Sequence, residues 1–406
     1  MKIKHPIRMN SAEFNQYSHE HFAWLRENKP VYQGKLTRIS KTYLITRYAD
    51  VNALLLDSER LVKNPNSAKT ESGKSTGMWL PKAFRPLMHN MLNSDGPDHR
   101  RLRNLVHKAF TPRMIAKLRP RIEAIANELL HEATCGSPID LIEAFALPLP
   151  ITVIAEMVGI PPADRAQFRA WTERIIVNPT PLNLARATFA IRSFMRYMLA
   201  LADQRRAEPQ DDLLTALVQA EDEGDKLTQD ELVGTIFLLL VAGHETTVNL
   251  ISNGTRALLE NPDQFELLKS QPDLIDSAIE EMLRYDGPLQ TTEQAFAKRA
   301  FELHGVTIPQ GALVMPSILS ANRDEAAFAH ADQFDIQRSP NKHLAFGKGL
   351  HYCLGAPLAR LEAKIAFCAL MQHAPNLQLA VPSAELRYKQ ALIIHRLEAL
   401  PVVLNR

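Results

Sequence analysis

One stretch of the 406-residue chain sets a cysteine among three glycines: Phe346-Gly347-Lys348-Gly349-Leu350-His351-Tyr352-Cys353-Leu354-Gly355. Apolar residues recur at helical spacing from Leu358 to Ala369, so a helix is predicted just after this stretch. At a helix N-terminus, unpaired N–H groups and the helix dipole favour a thiolate over a thiol. The glycines leave room for a flat, bulky partner. A thiolate held against a planar group suggests haem.

Other uses of this cysteine are weaker. A buried cysteine often packs as a small apolar residue. A nucleophilic cysteine needs a positioned base, and His351, two residues away on an irregular turn, is a poor one. A zinc site is disfavoured because the other cysteines, Cys135 and Cys368, form no C-x-x-C pair with any neighbour.

Residues 346–362 resemble, at every defining position, the haem-binding signature of the cytochrome P450 haem-thiolate monooxygenases. The resemblance implies one domain over residues 1–406, mainly α with small β-sheets, that binds haem b (iron protoporphyrin IX). It makes Cys353 the iron ligand, Phe346 the aromatic residue that covers the sulfur, and His351 a partner of a haem propionate. Gly347 and Gly355 would lie beside the cofactor.

Composition limits the possible partners and location. A charged fraction of 23% and a net charge of +2 give no global signal for nucleic acid or an anionic membrane. Three cysteines without paired spacing indicate a reducing compartment. The longest apolar run, residues 236–242, is far shorter than the roughly 20 residues of a membrane span. We therefore expect a soluble, cytoplasmic protein without a signal peptide or anchor. In this it resembles the soluble bacterial members of the family, and we expect a monomer.

Local patterns predict several elements. Residues 18–28 and 48–56 are predicted helices, and residues 42–46 a strand. A capping box from Thr228 to Glu231 starts a long helix whose apolar pattern runs from Leu232 to about Leu259, roughly 40 Å.

The middle of that helix reads Ala242-Gly243-His244-Glu245-Thr246-Thr247. A glycine, an acid and two hydroxyls are unfavourable in a buried helix, and such local conflicts are often functional. The alternative is a threonine that hydrogen-bonds its own i−4 carbonyl. The segment is similar to the family's oxygen-binding groove. That similarity implies that Ala242 and Gly243 make room for dioxygen, that Thr246 hydrogen-bonds it, and that Glu245 relays protons from solvent.

A basic helix follows Asp95. As a charge run it is most often a solvated face, but His99 and Arg103 are four residues apart and share one side of the helix. They match the family's propionate-binding positions. Outward-facing cations would dock an acidic electron donor, a ferredoxin or flavodoxin supplied by its reductase. Many relatives have a further propionate-binding arginine where this chain reads Glu293-Gln294-Ala295, and Gln294 is a weaker substitute.

Glu281 and Arg284 are three residues apart on a predicted helix. Most such pairs are surface pairs. Their position, about 70 residues before the cysteine, resembles the family's buried Glu-x-x-Arg, which supports the loop leading to the ligand. Arg338 is the expected third member.

The resemblance implies monooxygenation of an apolar molecule such as a fatty acid, terpenoid, steroid or polyketide, with dioxygen and two electrons from separate proteins. The predicted pocket residues are Leu238, Ala242, Leu289, Thr291 and Ile393. Two alternatives remain: a peroxide-driven peroxygenase, and a haem protein that binds a ligand without turnover. The acid–threonine pair favours oxygen chemistry, because neither alternative needs to deliver protons to dioxygen.

Overall fold

The computed structural model describes residues 7–35, 41–68, 82–133, 136–175, 181–220 and 224–405. Helices dominate these ranges. They are α1 Ala12–Gln16, α2 Ser18–Asn28, α3 Tyr48–Leu56, α4 Arg85–Met88, α5 Gly96–Ala109, α6 Pro112–Glu132, α7 Pro148–Val158, α8 Arg165–Ile175, α9 Pro181–Ala207, α10 Leu213–Gln219, α11 Gln229–Glu260, α12 Pro262–Ser270, α13 Ile275–Asp286, α14 Ile318–Ala321 and α15 Ala356–His373.

The strands are short. They are β1 Val31–Lys35, β2 Lys41–Ile45, β3 Leu61–Val62, β4 Pro138–Asp140, β5 Ala295–Ala297, β6 Phe301–Leu303, β7 Val306–Ile308, β8 Leu313–Pro316, β9 Gln378–Leu379 and β10 Pro401–Val403. They form a five-stranded sheet in the order β1-β2-β8-β5-β3, a three-stranded sheet β4-β10-β9, and a hairpin β6-β7. The predicted helices at residues 18–28 and 48–56 are confirmed, and the predicted strand is shifted by one residue.

The chain divides into two units. Unit 1 comprises Met1–Gly77, Ile122–Leu149 and Glu245–Arg406, and unit 2 comprises Met78–Arg121 and Pro150–His244. All the strands named above belong to unit 1. The single-domain organisation stays a prediction.

The five-stranded sheet of unit 1 is buried on both faces. Side chains alternate along a strand, so Tyr43 and Ile45 enter one apolar cluster while Leu44, between them, enters another. Helix α3 covers the first face with Val51 and Leu54, and α1 and α2 cover the second with apolar residues that include Phe14, Phe22 and Leu25. This two-sided burial fixes the strand register.

Helix α11 begins with the predicted capping box. The Thr228 backbone N–H donates to Glu231 Oε2 at 2.9 Å, and the Glu231 N–H donates back to Thr228 Oγ1 at 3.3 Å. Among the described residues, α11 is the one helix long and apolar enough to cross a membrane, and half of its most apolar 18-residue window is buried inside the protein. A long core helix of a globular protein has the same properties.

The C-terminal half of α11 packs closely in unit 1. A Cβ atom on Gly254 would lie 2.8 Å from Met282 Sδ of α13 and 2.8 Å from Phe367 Cζ of α15. A larger residue would force these helices apart. Glycine therefore allows α11, α13 and α15 to meet, and α15 is the helix that follows Cys353.

Candidate active site

Cys353 is exposed and lies three residues before α15 begins. Its backbone N–H donates to the Phe346 carbonyl oxygen at 2.9 Å, which closes the loop between them. Gly349 adopts a φ of +68°, in the left-handed region, and a Cβ atom there would lie 3.0 Å from the Leu55 carbonyl oxygen. This backbone path therefore requires glycine, and it presents the Cys353 thiol at the start of a helix.

The surroundings of the thiol fit a thiolate-ligated haem. The nearest atom that a Cβ on Gly355 would meet is Cys353 Sγ, at 3.9 Å, so the sulfur is flanked by a residue without a side chain. Phe346 and His351 are each half-buried in the same loop. An accessible soft ligand in a loop that also carries an aromatic residue, with a histidine two residues away, suits an iron ligand better than a packing residue.

The middle of α11 presents an accessible face. Leu238 and Thr246 are half-buried and Ala242 is exposed, and these three residues lie at i, i+4 and i+8, on one side of the helix. Flanking positions such as Ile236 and Leu250 are buried. The accessible part of α11 therefore includes the segment from Ala242 to Thr246 that the sequence singled out.

Glu245 is paired with a residue from the C-terminal segment. Arg396 Nη1 donates to Glu245 Oε1 at 2.7 Å, and the Glu245 side chain is 20% exposed. The carboxylate thus lies at the border between the protein interior and solvent. Gly243, the residue expected to make room for dioxygen, is closely approached by Ile154 Cδ1, which a Cβ atom would meet at 3.2 Å. Its role toward dioxygen stays a prediction.

Glu281 is fully buried and surrounded by donors. Arg284 donates through Nε and Nη2 at 2.7 and 2.8 Å, and Arg338 Nε lies 3.1 Å from Oε2. The Asp335 backbone N–H adds a fourth donor at 2.9 Å. Arg284 Nη1 donates to the carbonyl oxygens of Asn322 and Ala331. The three residues that the sequence grouped are therefore in contact, and the network fixes the chain between residues 322 and 338.

The comparisons with known proteins agree with one another. Residues 165–374 match the family model described as "Cytochrome P450". The chain belongs to the cytochrome P450 family. A protein named "Cytochrome P450" from Bacillus subtilis (strain 168) is 44% identical over 396 residues, which cover 97% of this chain and 96% of the relative. "Cytochrome P450 monooxygenase PikC" from Streptomyces venezuelae is 42% identical over 385 residues, 94% of this chain and 89% of the relative.

A solved structure has the same fold. It is described as "Bacillus subtilis 168 Bacillaene Polyketide Synthase (PKS) Cytochrome P450 PksS", and it matches with a TM-score of 0.91 at 40% identity over 98% of this chain and 100% of that one. The predicted P450 fold and membership of the monooxygenase family are confirmed. A haem iron cofactor follows from the family. The roles of individual residues stay predictions.

Two segments of this P450 bring three of the predicted pocket residues together. Leu289 forms an antiparallel bridge with Ile394, and the Gln290 N–H donates to the Ile393 carbonyl oxygen at 2.7 Å. Thr291 Oγ1 donates to the Leu392 carbonyl oxygen at 3.4 Å. Leu289, Thr291 and Ile393 therefore lie on adjoining segments of unit 1. Leu238 and Ala242 belong to unit 2 and stay predicted contacts.

Two of the predicted propionate partners, His99 and Arg103, lie in unit 2, whereas His351 and Gln294 lie in unit 1. His99 is buried on α5, and Arg103 follows one turn later. Burial lowers the pKa of His99, and the positive charge of Arg103 lowers it further. Gln294 is half-buried immediately before β5. Propionate binding by His99, Arg103 and Gln294 stays a prediction.

Two residues near the site, Glu362 and Arg396, were not identified from the sequence. Burial raises the pKa of Glu362 to about 8, although a hydrogen bond with Thr247 acts in the opposite direction. A pKa near 8 favours the protonated form of Glu362 at neutral pH, and its carboxyl lies on α15 next to the acid–threonine segment of α11. Its place at the end of the haem signature was the one available signal. Arg396 lies 151 residues from Glu245, and no local pattern links them.

Proposed function

We propose that this P450 binds haem b through Cys353 and inserts one atom of dioxygen into an apolar molecule, with two electrons from a ferredoxin or flavodoxin and its reductase. The observation that supports this most strongly is the exposed Cys353 thiol at the start of α15, in a loop closed by the hydrogen bond to Phe346. When bound, the haem supplies the oxygen activation, and the thiolate donates electron density that favours O–O cleavage.

The protein's own part is to deliver protons. The Glu245 carboxylate reaches solvent and is fixed by Arg396, so it can take up a proton outside the site. Thr246, the next residue, is half-buried on the accessible face of α11 and can pass a proton on through its hydroxyl. In this proposal the pair forms a route for protons from solvent, which a peroxygenase or a haem protein that binds a ligand without turnover would not need.

We propose that the substrate is a polyketide or a fatty-acid-derived chain. The adjoining segments carry Leu289 and Ile393, whose side chains are apolar and half-buried, and the Thr291 hydroxyl is the polar group among them. Such a lining holds a long apolar molecule with few directed hydrogen bonds. The similarity to a P450 of a polyketide synthase supports this class.

We further propose a soluble, cytoplasmic, monomeric enzyme that receives electrons on a basic surface. Exposed cations follow one another on α5 and the first part of α6 in unit 2: Arg100, Lys108, Arg113 and Arg119. Such a surface attracts an acidic iron–sulfur or flavin protein, and the attraction weakens as salt rises. The burial of half of the most apolar part of α11 supports a globular protein.

Replacing the proton-delivering hydroxyl tests this function. With a fatty acid or polyketide substrate that shifts the ferric haem to high spin, Thr246→Ala is expected to consume electrons as fast as the wild type but to form severalfold less product, with the balance appearing as peroxide. Product from the wild type should carry label from ¹⁸O₂.

The matched control is Thr255→Ala on the same helix. The Thr255 hydroxyl donates to its own i−4 carbonyl, of Ile251, at 2.7 Å, the ordinary structural use of threonine. Its product yield per electron should equal that of the wild type. Equal yields for Thr246→Ala and the wild type would remove Thr246 from the proton route. Product formation with peroxide alone, at the rate seen with oxygen and electron donors, would favour the peroxygenase.

A further inference from the structure

The Phe346 ring is enclosed by a second set of side chains. The Arg360 Cζ atom lies 4.4 Å from the ring centroid, in the geometry of a cation–π contact. The rings of His343 and Tyr352 lie 6.2 and 6.4 Å away, centroid to centroid. A cation and two further rings therefore surround the aromatic residue of the Cys353 loop.

Glu280 holds this arrangement in place. Arg360 donates to its two carboxylate oxygens through Nε and Nη2, at 2.6 and 2.8 Å. His343 Nε2 lies 3.0 Å from Glu280 Oε2. A bidentate pair fixes the plane of the guanidinium group, so Glu280 determines where the charge of Arg360 lies.

The same guanidinium reaches both sides of the Cys353 loop. Arg360 Nη1 donates to the Tyr352 hydroxyl at 3.4 Å, and Tyr352 directly precedes Cys353. On the other side, Phe346 accepts the hydrogen bond from the Cys353 N–H. One charged group therefore contacts the two residues that flank the cysteine, one in sequence and one through a hydrogen bond.

We propose that Arg360, held by Glu280, is a positioning residue for the Cys353 thiolate and helps to set the reduction potential of the haem iron. This inference rests on the proposed function, in which Cys353 is the iron ligand. One-electron reduction by an iron–sulfur or flavin protein adds one negative charge to the iron–thiolate centre. A nearby cation stabilises the reduced form, and a nearby anion opposes it. Glu280 therefore both orients the charge of Arg360 and partly offsets it.

If the Glu280–Arg360 pair only joined two helices, a neighbouring ion pair would have the same role. Lys364 Nζ lies 2.9 Å from each carboxylate oxygen of Asp276, and these residues join the same two helices, α15 and α13. Neither residue contacts Phe346, Tyr352 or Cys353 in the hydrogen bonds, ion pairs and ring contacts of the described residues. This pair therefore controls for the loss of a helix-to-helix ion pair.

The test is the reduction potential of the haem-loaded protein, measured by anaerobic titration with dithionite and redox dyes. Glu280→Gln removes the anion and leaves the cation, so the potential should become more positive. Arg360→Met removes the cation, so the potential should become more negative. Each change should alter the equilibrium constant for reduction about three- to tenfold, or about 30–60 mV at 59 mV per tenfold for one electron.

The controls separate charge from structure. Asp276→Asn and Lys364→Met should leave the potential unchanged, and Arg360→Lys should lie nearer the wild type than Arg360→Met. If Arg360→Met does not fold, Glu280→Gln and Arg360→Lys still provide the test. The proposal would be overturned if Glu280→Gln and Arg360→Met shifted the reduction potential in the same direction. It would also be overturned if their shifts equalled those of Asp276→Asn and Lys364→Met.

A failure of the proposed function would give a different result from a failure of this inference alone. A wild type that binds no haem, or whose reduced carbon monoxide complex shows no thiolate band, would overturn the role of Cys353 and this inference with it. A normal thiolate band with unmoved potentials would overturn this inference alone.

Discussion

Glu280 and Glu281 are neighbours on α13, yet they belong to two different ion networks. The Glu281 side chain is 0% exposed and forms ion pairs with Arg284 and Arg338. The Glu280 side chain is 29% exposed and pairs with Arg360 and His343. One residue along a helix changes direction by about 100°, so adjacent positions face different surroundings. The first network lies in the core of unit 1, and the second borders the Cys353 loop.

The difference in burial separates their roles. Removing one partner from a buried network leaves an uncompensated charge without water, which destabilises a protein strongly. A pair that water can reach contributes little to stability because solvent screens it. Glu281 is therefore mainly a stabilising residue, and the main effect of Glu280 is expected on the electrostatics around Cys353.

The largest predicted effect belongs to Glu281→Gln. The loss of its charge leaves Arg284, also 0% exposed, without an anion, and should lower the free energy of unfolding by about 3–5 kcal/mol. The midpoint of urea denaturation measures this, with Glu280→Gln as the adjacent control, for which a loss of about 1 kcal/mol is expected. Similar midpoints for the two variants would contradict the comparison.

Glu362 extends the comparison to a buried carboxyl that keeps its proton instead of binding a cation. Burial raises its pKa from the ordinary 4.5 to about 8, so between these values the folded state holds a proton that the unfolded state has released. This group therefore makes stability fall as pH rises from 4.5 to 8.

Glu362→Gln should remove that part of the pH dependence. The variant is expected to match or trail the wild type near pH 5 and to gain about 3–4 kcal/mol relative to it by pH 8, because each of the roughly three pH units between is worth about 1.4 kcal/mol. Denaturation midpoints at the two pH values measure the change. A constant difference between the two proteins would mean that Glu362 is ionised in the folded state.

The smallest predicted effect is the acid dependence of Glu280. Burial would raise its pKa, but the hydrogen bonds from Arg360 and His343 outweigh burial and lower the pKa from 4.5 to about 2. Its contribution is thus complete above pH 4.5 and is lost as pH falls toward 2. The advantage of the wild type over Glu280→Gln, about 1 kcal/mol at neutral pH, should shrink in urea titrations between pH 5 and pH 3. An advantage that grows on acidification would refute the assignment.

The sequence predicted what depends on local spacing. The capping box of Thr228 and Glu231, the bounds of α2 and α3, and the helix that follows Cys353 all come from periodicity and turn chemistry within a few residues. The contact of Arg338 with Glu281 was predicted from the family's pattern, and the structure shows it at 3.1 Å.

The missed contacts depend on tertiary packing. Glu280 meets Arg360, 80 residues away, because α13 packs against α15, and it also meets His343, 63 residues away in the segment before the Cys353 loop. Glu245 meets Arg396 because the C-terminal segment is held beside residues 288–290 by hydrogen bonds and by the Leu289–Ile394 bridge. A Glu-Glu pair or a single arginine carries no sign of such partners, since charged residues at these spacings are usually solvated.

The most direct test of the central claim is the visible spectrum of the purified protein, reduced and treated with carbon monoxide, beside that of Cys353→His. The account predicts a strongly red-shifted Soret band for the wild type, because a thiolate ligates the iron, and its loss in the variant. An unshifted band in the wild type, or a red-shifted band that persists in Cys353→His, would contradict the assignment of Cys353 as the iron ligand.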